Sequence, residues 1–182
     1  MLANSNKKSA PGPDGVSYSV LSKLEGCHHI LATLFTKVLI MGAPPPSWGE
    51  SVVKLIHKKG DSSEPTNFRM IALFGCIGKT FHLLLNHRLT SYLLKNNLID
   101  PTMQKAFLPG INDCIEHNIA MEEIIKDARA RKKTVHITFF DLEDAFDSVP
   151  HDLIQETLQR NHIPENICTY FSSFYSSSQA MV

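Results

Sequence analysis

Asp141 stands where the apolar run Val135-His136-Ile137-Thr138-Phe139-Phe140 stops. β-Branched and aromatic residues in that run are the composition of a buried strand. A carboxylate released at the end of such a strand is held rigidly, and carboxylate oxygens are natural ligands for hard cations such as magnesium. The competing reading is an aspartate that caps a helix or faces a loop. Glu143 and Asp144 read as solvent-facing, and Asp147 as a residue that fixes the following turn or a neighbouring helix. Their spacing does not place all of them on one ligand set.

A second constellation is Lys58, Lys59 and Arg69. Guanidinium and ammonium groups neutralise charge on a phosphoryl group under transfer. The bland alternative is a solvated basic hairpin tip. A third is Gln104, Phe107 and Gly110. An amide can bond base or sugar edges, an aromatic ring can stack, and glycine permits close backbone approach to a nucleic-acid strand. Without further context these three are also an ordinary polar loop. The histidines do not form a metal site on spacing: His28 and His29 point apart on a helix, and His82 and His87 lie five apart.

The elements that must carry these residues follow from periodicity and punctuation. Pro11-Gly12-Pro13-Asp14-Gly15 is a rigid turn, followed by a short helix using Val20, Leu21 and Leu24. A helix spans about 29–41, stopped by Gly42 and the prolines at 44–46. Trp48 plugs a core or anchors the next strand. Residues 51–57 and 68–74 read as an antiparallel pair with a long basic tip. The clearest helix runs from about 77 to 96, on Ile77, Phe81, Leu84, Leu85, Leu89, Tyr92 and Leu93. Another spans about 112–131 and carries Ile115, Ile119 and Ile124. Its end bears Arg129, Arg131, Lys132 and Lys133, where cations suit the helix dipole. Two more lie near 152–160 and 165–175.

With 182 residues, 43% hydrophobic and 20% charged, the chain can bury a core. Its formal net charge is zero, which argues against a purely electrostatic nucleic-acid binder. The distribution is uneven, however. Residues 1–110 hold 12 Lys and Arg against 6 Asp and Glu, and residues 111–182 hold 6 against 12. A basic half can face phosphates while an acidic half holds cations. Cys27, Cys76, Cys114 and Cys168 are scattered and read as reduced thiols of an intracellular protein, nuclear or cytoplasmic. The longest apolar stretch, 30–43, is interrupted by Lys37 and falls short of the roughly 20 residues a membrane span needs. No membrane partner is expected.

Residues 135–151 resemble the first palm motif of reverse transcriptases of non-LTR, LINE-like retrotransposons. Lys8 to Gly15 is similar to that family's opening segment. Trp48 to Asp61 and Asn67 to Leu73 resemble its fingers motifs, and Gln104-Lys105-Ala106-Phe107 with Gly110 its template-contacting motif. All occur in the family's order. The implied fold is α+β: the fingers of a right-hand polymerase (1–105) plus an incomplete palm (106–182), helix-rich with a basic antiparallel hairpin. The implied activity is RNA-directed DNA synthesis with two magnesium ions, on an RNA template and DNA primer, from dNTPs. Under the resemblance Asp141 and the Leu142 carbonyl bind metal, and Phe146 is a steric gate against a ribose 2′-hydroxyl. Arg69, with Lys58 or Lys59, clamps the triphosphate, and Gln104, Phe107 and Gly110 meet the template. Two departures stand out. Met70 replaces the proline usual after the arginine, and the sequence stops at Val182, before the remaining palm motifs. The resemblance therefore implies a piece that needs the remainder of the polymerase chain and is inactive alone. The alternatives are a non-catalytic nucleic-acid-binding remnant, an aspartate-nucleophile phosphohydrolase, and a helical adaptor.

Overall fold

The computed structural model describes residues 7, 9–111, 113–142, 145, 146 and 148–181. Lys8, Glu143, Asp144 and Asp147, named above, lie outside the described residues, as does the side chain of Cys114. The chain forms two compact units, one of residues 1–86 and 150–182 and one of residues 87–149.

In the first unit the order is α1 (Tyr18–Lys23), α2 (Cys27–Met41), α3 (Pro46–Gly49), β1 (Glu50–His57), β2 (Phe68–Phe74) and the start of α4 (Cys76–Lys95). It resumes with α6 (His151–Arg160), α7 (Glu165–Ser177) and β3 (Gln179–Met181). Apart from α3 and β3, the elements fall within a residue or two of those the periodicity predicts, and the mixture of helix and sheet is α+β. Helix α2 buries Cys27, Leu31, Phe35 and Val38, a stripe spaced by three and four residues. Gly42 ends it at φ 63°, its N–H bonding the Val38 carbonyl. A Cβ there would sit 3.0 Å from Thr169 Cγ2, so the stop also lets α7 approach.

The core is aromatic. Phe81 is fully buried, with ring centroids 5.1 Å from Phe35, 5.3 Å from Trp48 and 4.9 Å from Tyr170. Each such contact adds roughly 0.5–1.5 kcal/mol beyond area burial. Trp48 is buried directly before β1, so it both fills the core and anchors the strand. His82 Nε2 lies 2.7 Å from the hydroxyl of buried Tyr170. Burial holds the imidazole down at about 4 and pushes the phenol up. Both groups are neutral near pH 7, which suits an O–H donating to the bare Nε2.

The sheet has the order β2-β1-β3. β1 and β2 pair antiparallel in one continuous register from Ser51↔Phe74 to His57↔Phe68. β3 adds to β1 in parallel, Glu50↔Gln179 to Val52↔Met181. The periodicity gives no sign of β3, because three residues after a serine-rich helix end are too few to show alternation.

The second unit holds the end of α4, a loop, α5 (Asp113–Ala130) and the chain up to 149. Lys105 Nζ bonds Glu116 Oε2 at 2.6 Å, tying the loop to α5. The stripe that α5 packs is Met121, Ile125 and Ala128, while Ile115, Ile119 and Ile124, expected to carry the helix, are exposed. A second departure concerns residues 135–140. The composition predicts a buried strand, but residues 133–142 are irregular and exposed, Phe140 at 93%. A strand interior needs neighbours for its amides and cover for its faces. The described strands form one sheet, and that sheet does not include these residues.

Candidate functional site

The hairpin of the first unit gathers one set of residues. Its tip is closed by local bonds: Lys58 N donates to the Asn67 carbonyl at 2.8 Å, and Asn67 Nδ2 donates to the Asp61 carbonyl at 2.8 Å. The Asp61 carboxylate accepts the Ser63 N–H at 2.9 Å, and that bond holds its carboxyl below the usual range. The base is fixed by Ser51, which is buried and donates to the Gln179 carbonyl, and by Phe74 against Phe174.

Register then decides which side chains share a face. Residues directly opposite in an antiparallel pair project to the same side, and the side alternates every residue. Arg69 faces Ile56, Lys54 faces Ile71, and the Lys58–Asn67 bond continues the ladder by one pair. Lys54, Lys58 and Arg69 therefore lie on one face. Lys59 is one residue further along, in the loop, and off that alternation. All four cations are exposed, and among the described residues none is in an ion pair. Of the two lysines considered with Arg69, the ladder brings Lys58 to it. Residue type alone does not mark Lys54. Its spacing of four from Lys58, an even number in a strand, is the signal that places it.

In the second unit Phe107 and Phe146 meet edge to face, ring centroids 6.1 Å apart, and both are about four-fifths exposed. Phe107 holds a left-handed backbone, φ 63°. That conformation is costly for a bulky residue, and such strain concentrates at ligand-contacting sites. Gly110 is left-handed as well, at φ 77°. Gln104 is exposed, its Nε2 donating to the Ala106 carbonyl at 3.0 Å, while its carbonyl oxygen can accept. Asp141 and Leu142 are exposed in the irregular segment. The donors they offer, a carboxylate and a backbone carbonyl, match magnesium in type. In number they fall short, since the described residues contain no group of three or more His, Cys, Asp or Glu able to hold a metal. Cys27, Cys76 and Cys168 are separate buried thiols, and burial raises the pKa of Cys76 and Cys168.

Residues 56–181 match the family described as reverse transcriptase (RNA-dependent DNA polymerase). The chain belongs to that family. Every candidate residue from Lys58 to Phe146 falls inside the matched span, whereas Lys54 lies just before it. Among curated proteins, the chain is 29% identical over 95% of its length to the Pol polyprotein of the type-1 retrotransposable element R2 of Nasonia vitripennis. It is 28% identical over 97% to the corresponding R2 polyprotein of Popillia japonica. It is 28% identical over 80% to a probable RNA-directed DNA polymerase from transposon BS of Drosophila melanogaster. The chain covers 16%, 23% and 16% of those proteins respectively, so it spans less than a quarter of the length of each of them. No described helix is long and apolar enough to cross a membrane.

Proposed function

We propose that the chain supplies the nucleotide-gripping hairpin and the first metal-binding carboxylate of an RNA-templated DNA polymerase of a non-LTR retrotransposon. The observation that carries this reading is the hairpin register, which sets Lys58 and Arg69 as diagonal neighbours on one exposed face. The guanidinium fork and the adjacent ammonium grip the triphosphate of an incoming deoxynucleotide. Lys59, off that face, is dispensable for the grip. Asp141 and the Leu142 carbonyl would hold magnesium together with ligands from the remainder of the Pol chain. The chemistry that bound magnesium supplies is activation of a primer 3′-oxygen and neutralisation of triphosphate charge.

Phe146 stacks beneath the sugar and excludes a 2′-hydroxyl. The strained Phe107, with Gln104 and Gly110, contacts the RNA template. The hairpin belongs to a fingers region (1–105) and the aspartate to a palm region (106–182). The working partners are the RNA template, the DNA primer and the remainder of the Pol chain, in the nucleus or cytoplasm. One carboxylate does not complete a two-metal site, so the 182-residue polypeptide alone extends no primer. Incorporation of dNTP by it, abolished by Asp141→Asn, would refute that.

The direct test is dNTP binding by titration calorimetry. Charge-assisted hydrogen bonds are worth about 1.5–3 kcal/mol, so Arg69→Gln weakens binding by at least tenfold. Lys58→Gln follows it, and Lys59→Gln is close to neutral. Unchanged binding by Arg69→Gln, or an equal loss from Lys59→Gln, would sink the reading.

A further inference from the structure

The cationic face of the hairpin is longer than a nucleotide's phosphates require. Lys54 and Lys58 are four residues apart on β1 and its continuation, about 13 Å along a strand. Arg69 lies between them on β2, opposite Ile56, so each lysine is its diagonal neighbour at roughly 7–8 Å. The three charges form a staggered row. On the same face Ile56 lies between the two lysines and Ile71 lies opposite Lys54, both partly exposed and able to cover sugar or base edges. The acidic residue of β1, Glu50, stands a further four residues toward the base. Nothing acidic neutralises the row: no described ion pair includes these cations.

From this placement we propose that Lys54 is a nucleic-acid-backbone contact, and that, when no nucleotide occupies its Lys58–Arg69 end, the Lys54–Arg69–Lys58 row tracks consecutive phosphates of a single RNA strand. A row of about 13 Å spans several phosphates of one strand, whose charges advance about 3.4 Å each along a helix axis. A triphosphate held at the Lys58–Arg69 end leaves Lys54, about 13 Å from Lys58 along the strand, to a separate phosphate. An extended polyanion with regular charge and apolar surface between charges fits the alternation of cation and isoleucine. The inference takes its ligand class from the polymerase reading, but it does not depend on Arg69 gripping a triphosphate.

The test uses the full chain and a short single-stranded RNA of mixed sequence, with fluorescence anisotropy at several salt concentrations. The logarithm of the binding constant falls linearly with that of salt, with slope about −0.7 per phosphate contact for single strands. Lys54→Gln is expected to lower affinity regardless of RNA sequence and to make that slope shallower by about 0.7. It leaves dNTP binding unchanged. Lys37→Gln, an exposed lysine on α2, changes neither. Because Lys54 is exposed, the melting temperature stays at the parent value, which separates lost contact from lost fold. An unchanged slope in Lys54→Gln overturns the proposal, as does a chain that binds no RNA. So does displacement of RNA by polyglutamate at matched charge, which would mark a site for acidic peptide. Failure of the nucleotide reading looks different: Arg69→Gln then leaves dNTP binding intact while Lys54→Gln still flattens the RNA salt slope.

Discussion

Residues 52–56 and 135–140 are built from similar side chains, Val-Val-Lys-Leu-Ile in one and Val-His-Ile-Thr-Phe-Phe in the other. The first is held along its length by Phe68–Phe74 on one side and, at its base, by Gln179–Met181 on the other. The second runs irregular and exposed in the unit that carries Asp141. Strand propensity describes fitness for a pleated, half-buried surface, and it becomes structure only where a neighbour supplies the other half of each hydrogen bond. The hairpin brings its own neighbour across a ten-residue loop, 58–67. The segment before Asp141 has no such partner among the described strands. The two halves of the candidate chemistry therefore rest on different physical footing: the cations sit on a formed sheet face, and the carboxylate on chain that no described strand supports.

The contrast is tested most severely at the aromatic core. Phe81→Ala empties the centre of the cluster, and denaturant unfolding of the first unit should show a loss of about 3–5 kcal/mol. Phe140→Ala removes an equally large ring from the exposed segment and should cost less than about 0.5 kcal/mol. Equal losses would mean that Phe140 is buried in solution.

Acid sharpens the same contrast. The His82 pKa is depressed to about 4 in the folded state, against 6.5 for the free side chain. A depressed folded value means the unfolded chain binds the proton more readily. Stability from this site is thus complete above pH 6.5 and is lost as pH falls through 4. The loss approaches about 3 kcal/mol, since each tenfold difference in proton affinity between the folded and unfolded chains is worth ~1.4 kcal/mol. His82→Gln should flatten that stretch of a stability–pH curve, and an identical curve for the variant would count against the buried pair.

A smaller effect is expected at the hairpin's base. A Cβ on Gly12 would lie 2.4 Å from Gly75 N and from the Phe74 carbonyl carbon, both backbone atoms. Gly12→Ala must displace the junction of β2 with α4, costing about 1–3 kcal/mol. Hydrogen exchange should show the hairpin amides losing protection in this variant, while those of residues 134–142 exchange fast in both proteins. Protection of 134–142 in the parent chain would erase the distinction between the two stretches.

Much of this organisation is legible from residue order. Helix α2 is marked by its apolar spacing and by the Gly42 stop, and the hairpin by two alternating runs around a basic, glycine-bearing loop. Lys58, Arg69 and Asp141 are recognisable by type and neighbourhood. What sequence does not convey are relations fixed by partners far along the chain. A ten-residue loop does not set a register as a two-residue turn would, so the face shared by Lys54, Lys58 and Arg69 emerges only with the ladder. The His82–Tyr170 bond joins residues 88 apart, and no local pattern marks either member. The run at 135–140 misleads for the same reason, because composition cannot say whether a partner is present.

The parallel pairing of β3 with β1 has a consequence for the order of assembly. Ser51, whose hydroxyl donates to the Gln179 carbonyl across that pairing, is separated from it by 128 positions. Loop-closure entropy must be met before such a contact can form, whereas the β1–β2 ribbon closes over a short loop. Seen from a ribosome, the cationic ribbon is complete once residue 74 has emerged, and its inner border stays unlatched until residues 179–181 arrive.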